Sequence, residues 1–515
     1  MSSYPESSAL TRRQIIQGTV ALAATSFWAG CSASSSSPEL SSPTNSSPPD
    51  SPPAPANPQP VPAGPVTQAS LTITSAAAGS IGPAFAGLSY EKNKLSSPIF
   101  TASNSDLIAL FKRIGPSVLR IGGNTVDQNV WTPNGAGQTA GQIAPSDVAS
   151  LAGFVKAAGW QCLYGINLGG AATGATTPAL AAAEVAYAAA QFGSSLLGIE
   201  IGNECDLYGD PGSYFAGNWS LNKFLSLWGQ FRKAILATTP DVPITGPAAT
   251  TPVTNWTIPF GQAVTKSEIT LLTQHYYRAD GALSTSTAAL LITPDPYLVQ
   301  ELAQLQTAAQ GIGIPFRMSE CNSFYDGGAD GVSNSYASSL WVIDYLFNCA
   351  QGGAAGVNFH GGGNSAGYTP IADSDNAVVD VRPEFYGILL FTLAGQGTVY
   401  KTQVSAGSLN VTGYAVRTSS GGLNIIVVNK DLTQNLQLSV ALPQTANSAT
   451  LLAMTQLSSG ATAPDLTATA GVSIQGASVN LDGTFSPSTA YTLTANSPQL
   501  TCYVPALSAV LIQVS

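Results

Sequence analysis

Two glutamates stand directly after apolar stretches of this sequence and could act together as a pair of carboxylates. Glu204 closes "GIEIGNE" and Glu320 closes "PFRMSE", in a chain of which only 9% is charged. Two carboxylates that face each other across a sugar are the groups that hydrolyse glycosidic bonds. A salt bridge or a loop contact explains either glutamate taken alone, so the hypothesis depends on the pair.

The elements that would position these glutamates are predicted to be eight strands alternating with helices. Short apolar or β-branched runs recur at 84–90, 117–123, 162–168, 196–204, 243–248, 269–277, 315–320 and 354–362. Patterns with apolar residues three and four apart, typical of helices, lie between most of these runs. Strands that are apolar on both faces and alternate with helices indicate parallel βα units, and eight of them predict a (β/α)8 TIM barrel over residues 84–394. The alternative is a doubly wound open sheet, but no glycine-rich phosphate loop follows the first run.

The sequence changes character after residue 394. Short alternating stretches such as "LNIIVVNKDL" and "SAVLIQVS" are separated by Gly, Asn, Ser and Pro. This pattern predicts a C-terminal β-sandwich over residues 395–515. The stretch "SLTITS" lies within residues 67–83, and we expect it to add a strand to that module, which would bring the two ends of the folded chain together.

The predicted barrel gives the two glutamates a common location. Active-site groups of TIM barrels lie where the strands end at the C-terminal face. Glu204 ends the fourth predicted strand and Glu320 the seventh, so both should face the barrel mouth. Cys205 and Cys321 follow directly, and because side chains alternate along a strand we expect both thiols to point away from the site.

The N-terminal segment predicts export from a bacterial cell. Arg12 and Arg13 precede an uncharged, mostly apolar run, which is too short for a membrane span and is similar to a twin-arginine signal. Ala29-Gly30-Cys31 resembles a lipobox, which would make Cys31 a lipidated first residue; the alternative is an ordinary cleaved signal over residues 1–31. The Ser- and Pro-rich residues 32–66 are then a disordered tether, and the protein is periplasmic, secreted or anchored to a membrane.

Composition argues against several classes of partner and cofactor. The formal net charge of −10 leaves no cluster of Lys and Arg for nucleic acid. Six cysteines without a CxxC pair, and only two histidines, predict no metal site and no cofactor. We expect a monomer whose only contact with a membrane is through Cys31.

Five stretches in this order resemble glycoside hydrolase family 79, the β-glucuronidases related to heparanase: "LSYEKN", "LRIGGNTVD", "IGNE", "QHYY" and "SECNSFYDGG". The resemblance covers roughly residues 70–515. It implies that Glu320 is the nucleophile and Glu204 the general acid/base, which requires Glu204 to carry a proton while Glu320 stays ionised. It also implies that Glu91 and Asn124 bind sugar hydroxyls.

The same resemblance implies further roles around the two glutamates. Asn203 would bind the sugar 2-hydroxyl, and Tyr277, or alternatively Tyr276, would lie beside the nucleophile. His275 would orient a catalytic group, although ordinary packing in the barrel explains it equally well. Arg120, inside the second strand, is interpreted as a structural charge that pairs with a carboxylate near the site.

A loop five residues beyond Glu320 is implied to bind the carboxylate of a uronic acid. Backbone N–H groups of Tyr325, Asp326 and Gly327 would face the anion, with Tyr368 opposite. This sequence departs from glycine-rich versions of the loop at Asp326, whose side chain would repel a uronate if it pointed inward.

The sequence therefore predicts a retaining exo-β-glucuronidase that acts on a glucuronide or an oligosaccharide by double displacement. One alternative is a retaining β-glycosidase for neutral sugars on the same barrel. Another is a surface carbohydrate-binding protein without catalysis, which the retention of both Glu204 and Glu320 disfavours. An endo-acting role on sulfated chains is disfavoured because the sequence has no basic stripe.

Overall fold

A computed structural model describes residues 57–446, 448–496 and 498–514. Up to residue 381 its strands are β1 (Val66–Ile81), β2 (Ala86–Glu91), β3 (Val118–Gly122), β4 (Val130–Trp131), β5 (Gln142–Ile143), β6 (Gln161–Ile166), β7 (Leu196–Ile201), β8 (Ile244–Ala249), β9 (Leu271–Tyr277), β10 (Phe316–Asn322), β11 (Val357–Gly361), β12 (Ile371–Ser374) and β13 (Ala377–Val381). The predicted export signal, Cys31 and most of the Ser- and Pro-rich tether lie outside the described residues.

Helices lie between the barrel strands. They are α1 (Ser105–Ile114), α2 (Pro145–Ala158), α3 (Pro178–Phe192), α4 (Leu221–Thr238), α5 (Thr257–Ala263), α6 (Ala288–Leu291), α7 (Pro296–Ile312), α8 (Tyr336–Gln351) and α9 (Pro383–Leu393). Several begin at a side chain that accepts a hydrogen bond from the first turn, as Thr177 does for α3 and Asp295 for α7. Each of these two helices also has proline in its first turn, where the missing N–H costs nothing.

Eight parallel strands close into a barrel in the order β2-β3-β6-β7-β8-β9-β10-β11, and β11 pairs with β2. The strand order follows the chain, as in a TIM barrel. Strands β3, β8, β10 and β11 are buried at every residue, as expected of parallel strands covered on both faces. The predicted barrel is confirmed, and the open-sheet alternative is wrong.

The remaining strands form a separate sheet. They are β14 (Gly397–Ser405), β15 (Val411–Thr418), β16 (Leu423–Asn429), β17 (Asn435–Ala441), β18 (Ala449–Gln456), β19 (Val472–Ile474), β20 (Tyr491–Leu493), β21 (Ala495–Asn496), β22 (Gln499–Val504) and β23 (Ser508–Val514). Together with β1 they make one 11-stranded sheet in the described chain. Leu438 on β17 and Leu451 on β18 belong to one buried cluster although their strands are far apart in the sheet. The sheet therefore curls and encloses its own core, as a sandwich does.

Strand β1 connects the start of the described fold to this C-terminal sheet. It pairs antiparallel with β14 and parallel with β17. Helix α8 lies against the sheet: Phe347 stacks on Tyr414 with ring centroids 4.2 Å apart, and Asp344 forms an ion pair with Lys430. These buried contacts hold the outer surface of the barrel to the sheet.

Two further observations concern the described residues. None of their helices is both long and apolar enough to cross a membrane. Cys162, Cys205, Cys321, Cys349 and Cys502 are all free thiols and all buried.

Candidate active site

Glu320 lies on β10, one of the eight strands of the closed barrel. On the neighbouring strand β9 it stands opposite His275, after an irregularity in the register between Met318 and Glu320. Its side chain is 8% exposed, so the carboxylate lies in a nearly closed site and not in bulk water. Cys321, the next residue, points away as predicted, with its Sγ 3.4 Å from the carbonyl oxygen of Asn358.

The sequence pattern predicted that Glu204 ends the fourth strand, but in the structure Glu204 lies in a turn beyond that strand. Strand β7 stops at Ile201, and Glu204 has left-handed backbone angles, φ 47° and ψ 49°, which are costly for a residue with a Cβ. Its backbone N–H donates to the carbonyl of Ala248 at 2.9 Å, which fixes the turn to the end of β8. The alternation argument therefore does not apply to Cys205, although its thiol is buried and donates to the carbonyl of Ile201.

The two glutamates meet as expected. A carboxylate oxygen of Glu204, a ring nitrogen of His275 and a carboxylate oxygen of Glu320 all lie within 4.8 Å of one another. Retaining glycosidases hold their carboxyl groups about 5–5.5 Å apart, and inverting ones about 6.5–9.5 Å. This geometry matches the closer arrangement.

Arg120 donates hydrogen bonds to several side chains of the site. Its Nη1 donates to Glu320 Oε2 at 2.6 Å, its Nε to Glu200 Oε2 at 2.6 Å and its Nη2 to Asn203 Oδ1 at 2.8 Å. A weaker contact of 3.3 Å joins Nη1 to Ser89 Oγ. A guanidinium only donates, in a rigid planar fork, so it fixes the orientation of each acceptor.

The environment keeps Glu320 ionised. Burial alone would raise the pKa of its carboxyl, but neighbouring positive charges and a hydrogen bond hold the pKa well below the usual range. The groups that lower this pKa are, in decreasing order, His360, His275, Arg120 and Tyr277. An ionised carboxylate at this position can attack an electrophilic carbon.

The two adjacent tyrosines of β9 face different surroundings. The hydroxyl of Tyr277 donates to Glu320 Oε1 at 2.8 Å. The hydroxyl of Tyr276 donates to Asp295 Oδ2 at 2.6 Å, and its ring packs against Tyr297 and Tyr345. Consecutive strand residues point to opposite faces, which explains the difference. Of the two candidates for the position beside Glu320, the structure therefore favours Tyr277 over Tyr276.

Each glutamate has a histidine beside it. His275 Nδ1 lies 3.2 Å from Glu204 Oε1, and its Nε2 is buried with no hydrogen-bond partner among the described residues. His360, at the end of β11, has Nδ1 at 3.7 Å from Glu320 Oε2 and 3.0 Å from Ser89 Oγ. Its Nε2 lies 3.5 Å from Glu91 Oε1.

His360 is a site residue that the sequence interpretation missed. Burial alone would lower the pKa of its ring, but Glu320 and then Glu91 raise the pKa above its usual value. Its position in the sequence could have identified His360. It lies near the end of the eighth predicted strand, in "GVNFHGG", as Glu320 lies at the end of the seventh.

Glu91 and Asn124 contact each other at the barrel mouth. Glu91 accepts hydrogen bonds from the backbone N–H groups of Asn124 and Thr125, and from the Thr125 hydroxyl, at 2.6–3.1 Å. A Cβ on Gly123 would come within 2.4 Å of the Glu91 carboxyl, and this glycine has φ 73°. Glu91 thus caps the 3-10 turn at Asn124–Gln128, while the exposed Asn124 side chain stands at the rim.

The loop proposed to bind a uronate packs against two other loops through backbone contacts. The N–H of Tyr325 donates to the carbonyl of Ala279 at 2.9 Å, so this amide is engaged within the protein and does not face a ligand. The N–H of Tyr368 donates to the carbonyl of Gly327 at 3.1 Å. A Cβ on Gly367 would lie 1.9 Å from that same carbonyl oxygen, so only glycine allows this approach.

Asp326 and Tyr368 take up different positions in this rim. Asp326 is exposed and has φ 58°. The ring of Tyr368 lies 5.7 Å from that of Tyr277 and 6.1 Å from that of His360. Burial, followed by the charge of Glu320, raises the pKa of the Tyr368 phenol, which keeps it a neutral donor. Tyr277 and His360 both lie beside Glu320, so Tyr368 is on the Glu320 side of the site.

Glu204, His275 and Glu320 are also the kind of residues that bind metal ions. The guanidinium of Arg120 already contacts Glu320, however, and a second positive charge on the same carboxylate would be repelled. The donor set, in which Glu320 is already paired with Arg120, fits an ion-paired carboxylate better than it fits a metal site.

Buried groups that the sequence did not single out hold the loop of Glu204 in place. Asp127 accepts from the Tyr208 hydroxyl at 2.5 Å and from the backbone N–H groups of Leu168 and Gly169. Asp206 accepts from the backbone N–H groups of Thr250 and Thr251, just past β8. Both act across sequence separations of about 40 residues or more, so local pattern could not reveal them.

Comparisons with known proteins agree with this fold. No protein-family profile matches the chain. A β-glucuronidase of Aspergillus niger is 25% identical over 338 residues, which span 59% of this chain and 61% of that relative. The crystal structure of a 4-O-α-L-rhamnosyl-β-D-glucuronidase from Fusarium oxysporum 12S superposes with a TM-score of 0.69 at 19% identity, covering 86% of this chain and 99% of that one. A family 51 arabinofuranosidase from Xanthomonas axonopodis pv. citri gives 0.61 at 14% identity, with 87% and 100% covered. The chain is similar in sequence to a glucuronidase and shares its fold with other barrel glycosidases.

Proposed function

We propose that this chain is a glycoside hydrolase that removes a terminal β-linked glucuronate with retention of anomeric configuration. The observation that carries the proposal is the pair Glu204 and Glu320, whose nearest oxygens lie within 4.8 Å at the barrel mouth. The similarity to a glucuronidase of Aspergillus niger supports the substrate class. The resemblance to family 79 is part of this proposal.

In the first step, a carboxylate oxygen of Glu320 attacks the anomeric carbon and the bond to the leaving group breaks. Glu204 gives its proton to the departing oxygen. Arg120 and Tyr277 hold the two oxygens of Glu320, so one face of the carboxylate is oriented before the sugar arrives. In the second step, Glu204 takes a proton from water, which attacks the same carbon and releases Glu320.

The proposed specificity rests on Tyr368 and its loop. A phenol is a neutral donor whose hydrogen bond is strongest to an ionised acceptor. Tyr368 is close to Tyr277 and therefore to the bound sugar, whereas Asp326 is exposed to solvent. Because water and salt screen an exposed charge, the acid at Asp326 is compatible with a uronate bound near Tyr368.

Glu320→Ala tests the mechanism. Turnover of 4-nitrophenyl β-glucuronide should be abolished, and added azide should restore part of it with an inverted product, because azide replaces the missing nucleophile. Glu204→Ala should retain more activity on substrates with good leaving groups than on natural ones, since those need little protonation. Azide rescue with a retained product would remove Glu320 from the nucleophile role.

Tyr368→Phe tests the substrate class. Loss of a hydrogen bond to a charged group costs about 1.5–3 kcal/mol, so kcat/KM for the glucuronide should fall roughly ten- to a hundredfold more than for the matching glucoside. An unchanged ratio would favour the neutral-sugar alternative or a different carboxylate site. Assaying the natural protein on a panel of 4-nitrophenyl glycosides separates a glucuronidase and a neutral-sugar glycosidase from a binding protein, which would hydrolyse none of them.

We also propose that the protein is exported and held at a membrane through Cys31. Arg12→Lys with Arg13→Lys should retain the precursor in the cytoplasm, and Cys31→Ala should release the protein from the membrane fraction. If Cys31→Ala fractionates like the natural protein, an ordinary cleaved signal is the better account.

A further inference from the structure

Glu200 is a buried carboxylate to which the mechanism above gives no role. It lies on β7 with no solvent exposure, four residues before Glu204. Its Oε2 accepts from Arg120 Nε at 2.6 Å, while its Oε1 is buried with no hydrogen-bond partner among the described residues. Burying a carboxylate costs desolvation free energy unless the charge is paired and both oxygens have hydrogen-bond donors. Glu200 meets only the first of these conditions among the described residues.

The single cation of Arg120 is shared between two carboxylates. Glu200 and Glu320 each lie 2.6 Å from a different nitrogen of the guanidinium, so the three groups carry one positive and two negative charges. Burial alone would lower the pKa of Arg120, but Glu200 first and Glu320 second raise it. The two contacts are equally short, so the positive charge of Arg120 is shared between Glu200 and Glu320.

The same contact fixes the direction of the guanidinium. Because Nε is held by Glu200, Nη1 points to Glu320 and Nη2 to Asn203. Asn203 must present its Oδ1 to this donor, which leaves its amide N–H groups for other acceptors. One buried acid thus orients both the nucleophile and the amide next to Glu204.

We propose that Glu200 is a positioning residue that acts through Arg120 to keep Glu320 a reactive nucleophile and to orient the amide of Asn203. The inference rests on the proposed function of Glu320. Without the charge of Glu200, Arg120 binds Glu320 more tightly. Attack by Glu320 then slows, whereas its departure from the glycosyl-enzyme, in which it leaves as a carboxylate, does not.

Glu200→Gln tests this inference, because it removes the charge and keeps the shape and one acceptor. Formation of the glycosyl-enzyme is measured by single-turnover release of nitrophenolate from 4-nitrophenyl β-glucuronide. Its breakdown is measured as recovery of activity after trapping with a 2-deoxy-2-fluoro-glucuronide. We expect formation to slow by about tenfold or more, as for a lost charged contact, and breakdown to stay within about threefold of the natural rate.

Glu184→Gln is the matched control. Glu184 is another buried carboxylate, paired with Lys92 at 2.5 Å and with the Tyr164 hydroxyl at 2.8 Å, on α3 and away from Arg120. This variant should lose stability against urea but leave both rate constants unchanged. A purely structural role for Glu200 predicts the same behaviour in Glu200→Gln, or an equal fall in both rates, and either result would overturn the inference.

Two further outcomes are distinguished by the same experiment. If Glu200→Gln does not fold, Glu200→Asp keeps the charge but retracts it from Arg120 Nε, and the same division between formation and breakdown is expected. Mass spectrometry of the trapped natural protein shows whether Glu320 carries the sugar. If it does not, the proposed function itself fails; if it does and the two rates change together, only the role of Glu200 is lost.

Discussion

The hydroxyl of Tyr277 donates to Oε1 of Glu320 at 2.8 Å, on the opposite carboxylate oxygen from the one held by Arg120. The carboxylate of Glu320, the proposed nucleophile, is thus fixed from two sides by donors on different strands, β9 and β3. Because Tyr277 and Glu320 stand near the ends of adjacent strands, the contact is set by the barrel register and not by a flexible loop. Replacing either donor should affect the reactivity of Glu320 directly.

The first prediction concerns Tyr277→Phe. Loss of a hydrogen bond to a charged group costs about 1.5–3 kcal/mol, so kcat/KM on 4-nitrophenyl β-glucuronide should fall roughly ten- to a hundredfold. Tyr276→Phe is the matched control, because that hydroxyl binds Asp295 on the other face of β9. It should lower the free energy of unfolding without changing kcat/KM. Equal losses of activity in the two variants would contradict the assignment of Tyr277 to the active site and of Tyr276 to a structural contact.

The second prediction concerns His275, whose Nδ1 is 3.2 Å from Glu204 Oε1. Removing this contact in His275→Ala should disturb the orientation of the acid/base more than that of the nucleophile. We expect kcat/KM for a poor leaving group, such as an alkyl glucuronide, to fall more than that for 4-nitrophenyl β-glucuronide. A leaving-group dependence identical to that of the natural protein would show that His275 only fills space.

The barrel and the two glutamates could be predicted from sequence because both depend on local patterns. Apolar runs of strand length alternate with helical patterns, and each glutamate follows such a run. The exact end of the fourth strand could not be predicted, because Glu204 adopts a left-handed turn that is fixed by Ala248 from another strand.

The contacts around the glutamates follow from long-range packing. The sequence predicts a carboxylate partner for Arg120 but does not identify Glu200 and Glu320, which are 80 and 200 positions away. The sequence "QHYY" leaves Tyr276 open as an alternative to Tyr277, and only the direction of each side chain on β9 separates the two. His360 was missed because a lone histidine in an apolar strand is ordinarily a packed core residue.

The third prediction concerns stability and pH, and it has opposite signs at two buried acids. An unfolded glutamate titrates near about pH 4.3. The pKa of Glu320 is depressed, so its stabilising contribution is present above that pH and is lost as the pH falls below it. Relative to Glu320→Gln, the natural protein should therefore lose up to about 1.4 kcal/mol of unfolding free energy per pH unit on acidification.

Glu384 should show the reverse dependence. Burial raises its pKa to about 8, and only Asn322 contacts its Oε2 in the described chain, at 3.3 Å. The folded state then keeps a proton that the unfolded state has lost, so stability falls as the pH rises from about 4.3 towards 8. Relative to Glu384→Gln, the natural protein should be destabilised progressively across this window. Urea unfolding at a series of pH values measures both acids, and curves that run parallel to those of the variants would contradict the assignments.

The last prediction concerns Arg382, which shapes the loop that presents Tyr368. Its Nη1 donates to the carbonyls of Ser365 at 2.7 Å and Gly367 at 3.3 Å, and its Nη2 to Asn364 Oδ1 at 3.1 Å. Arg382→Gln cannot span these acceptors, so the loop should relax and Tyr368 should lose its position next to Tyr277. The ratio of kcat/KM for glucuronide to that for glucoside should fall in the same direction as in Tyr368→Phe.

Arg417→Gln, on β15 in the C-terminal sheet, is the matched control for the loss of one arginine and should leave that ratio unchanged. The double variant Arg382→Gln with Tyr368→Phe should have the same ratio of kcat/KM for glucuronide to glucoside as Tyr368→Phe alone. The reason is that Arg382 affects this ratio only by positioning the phenol of Tyr368. A further fall in the double variant would mean that Arg382 contributes to anion binding by itself. The specificity for glucuronide would then depend on the positive charge of Arg382 as well as on the hydroxyl of Tyr368.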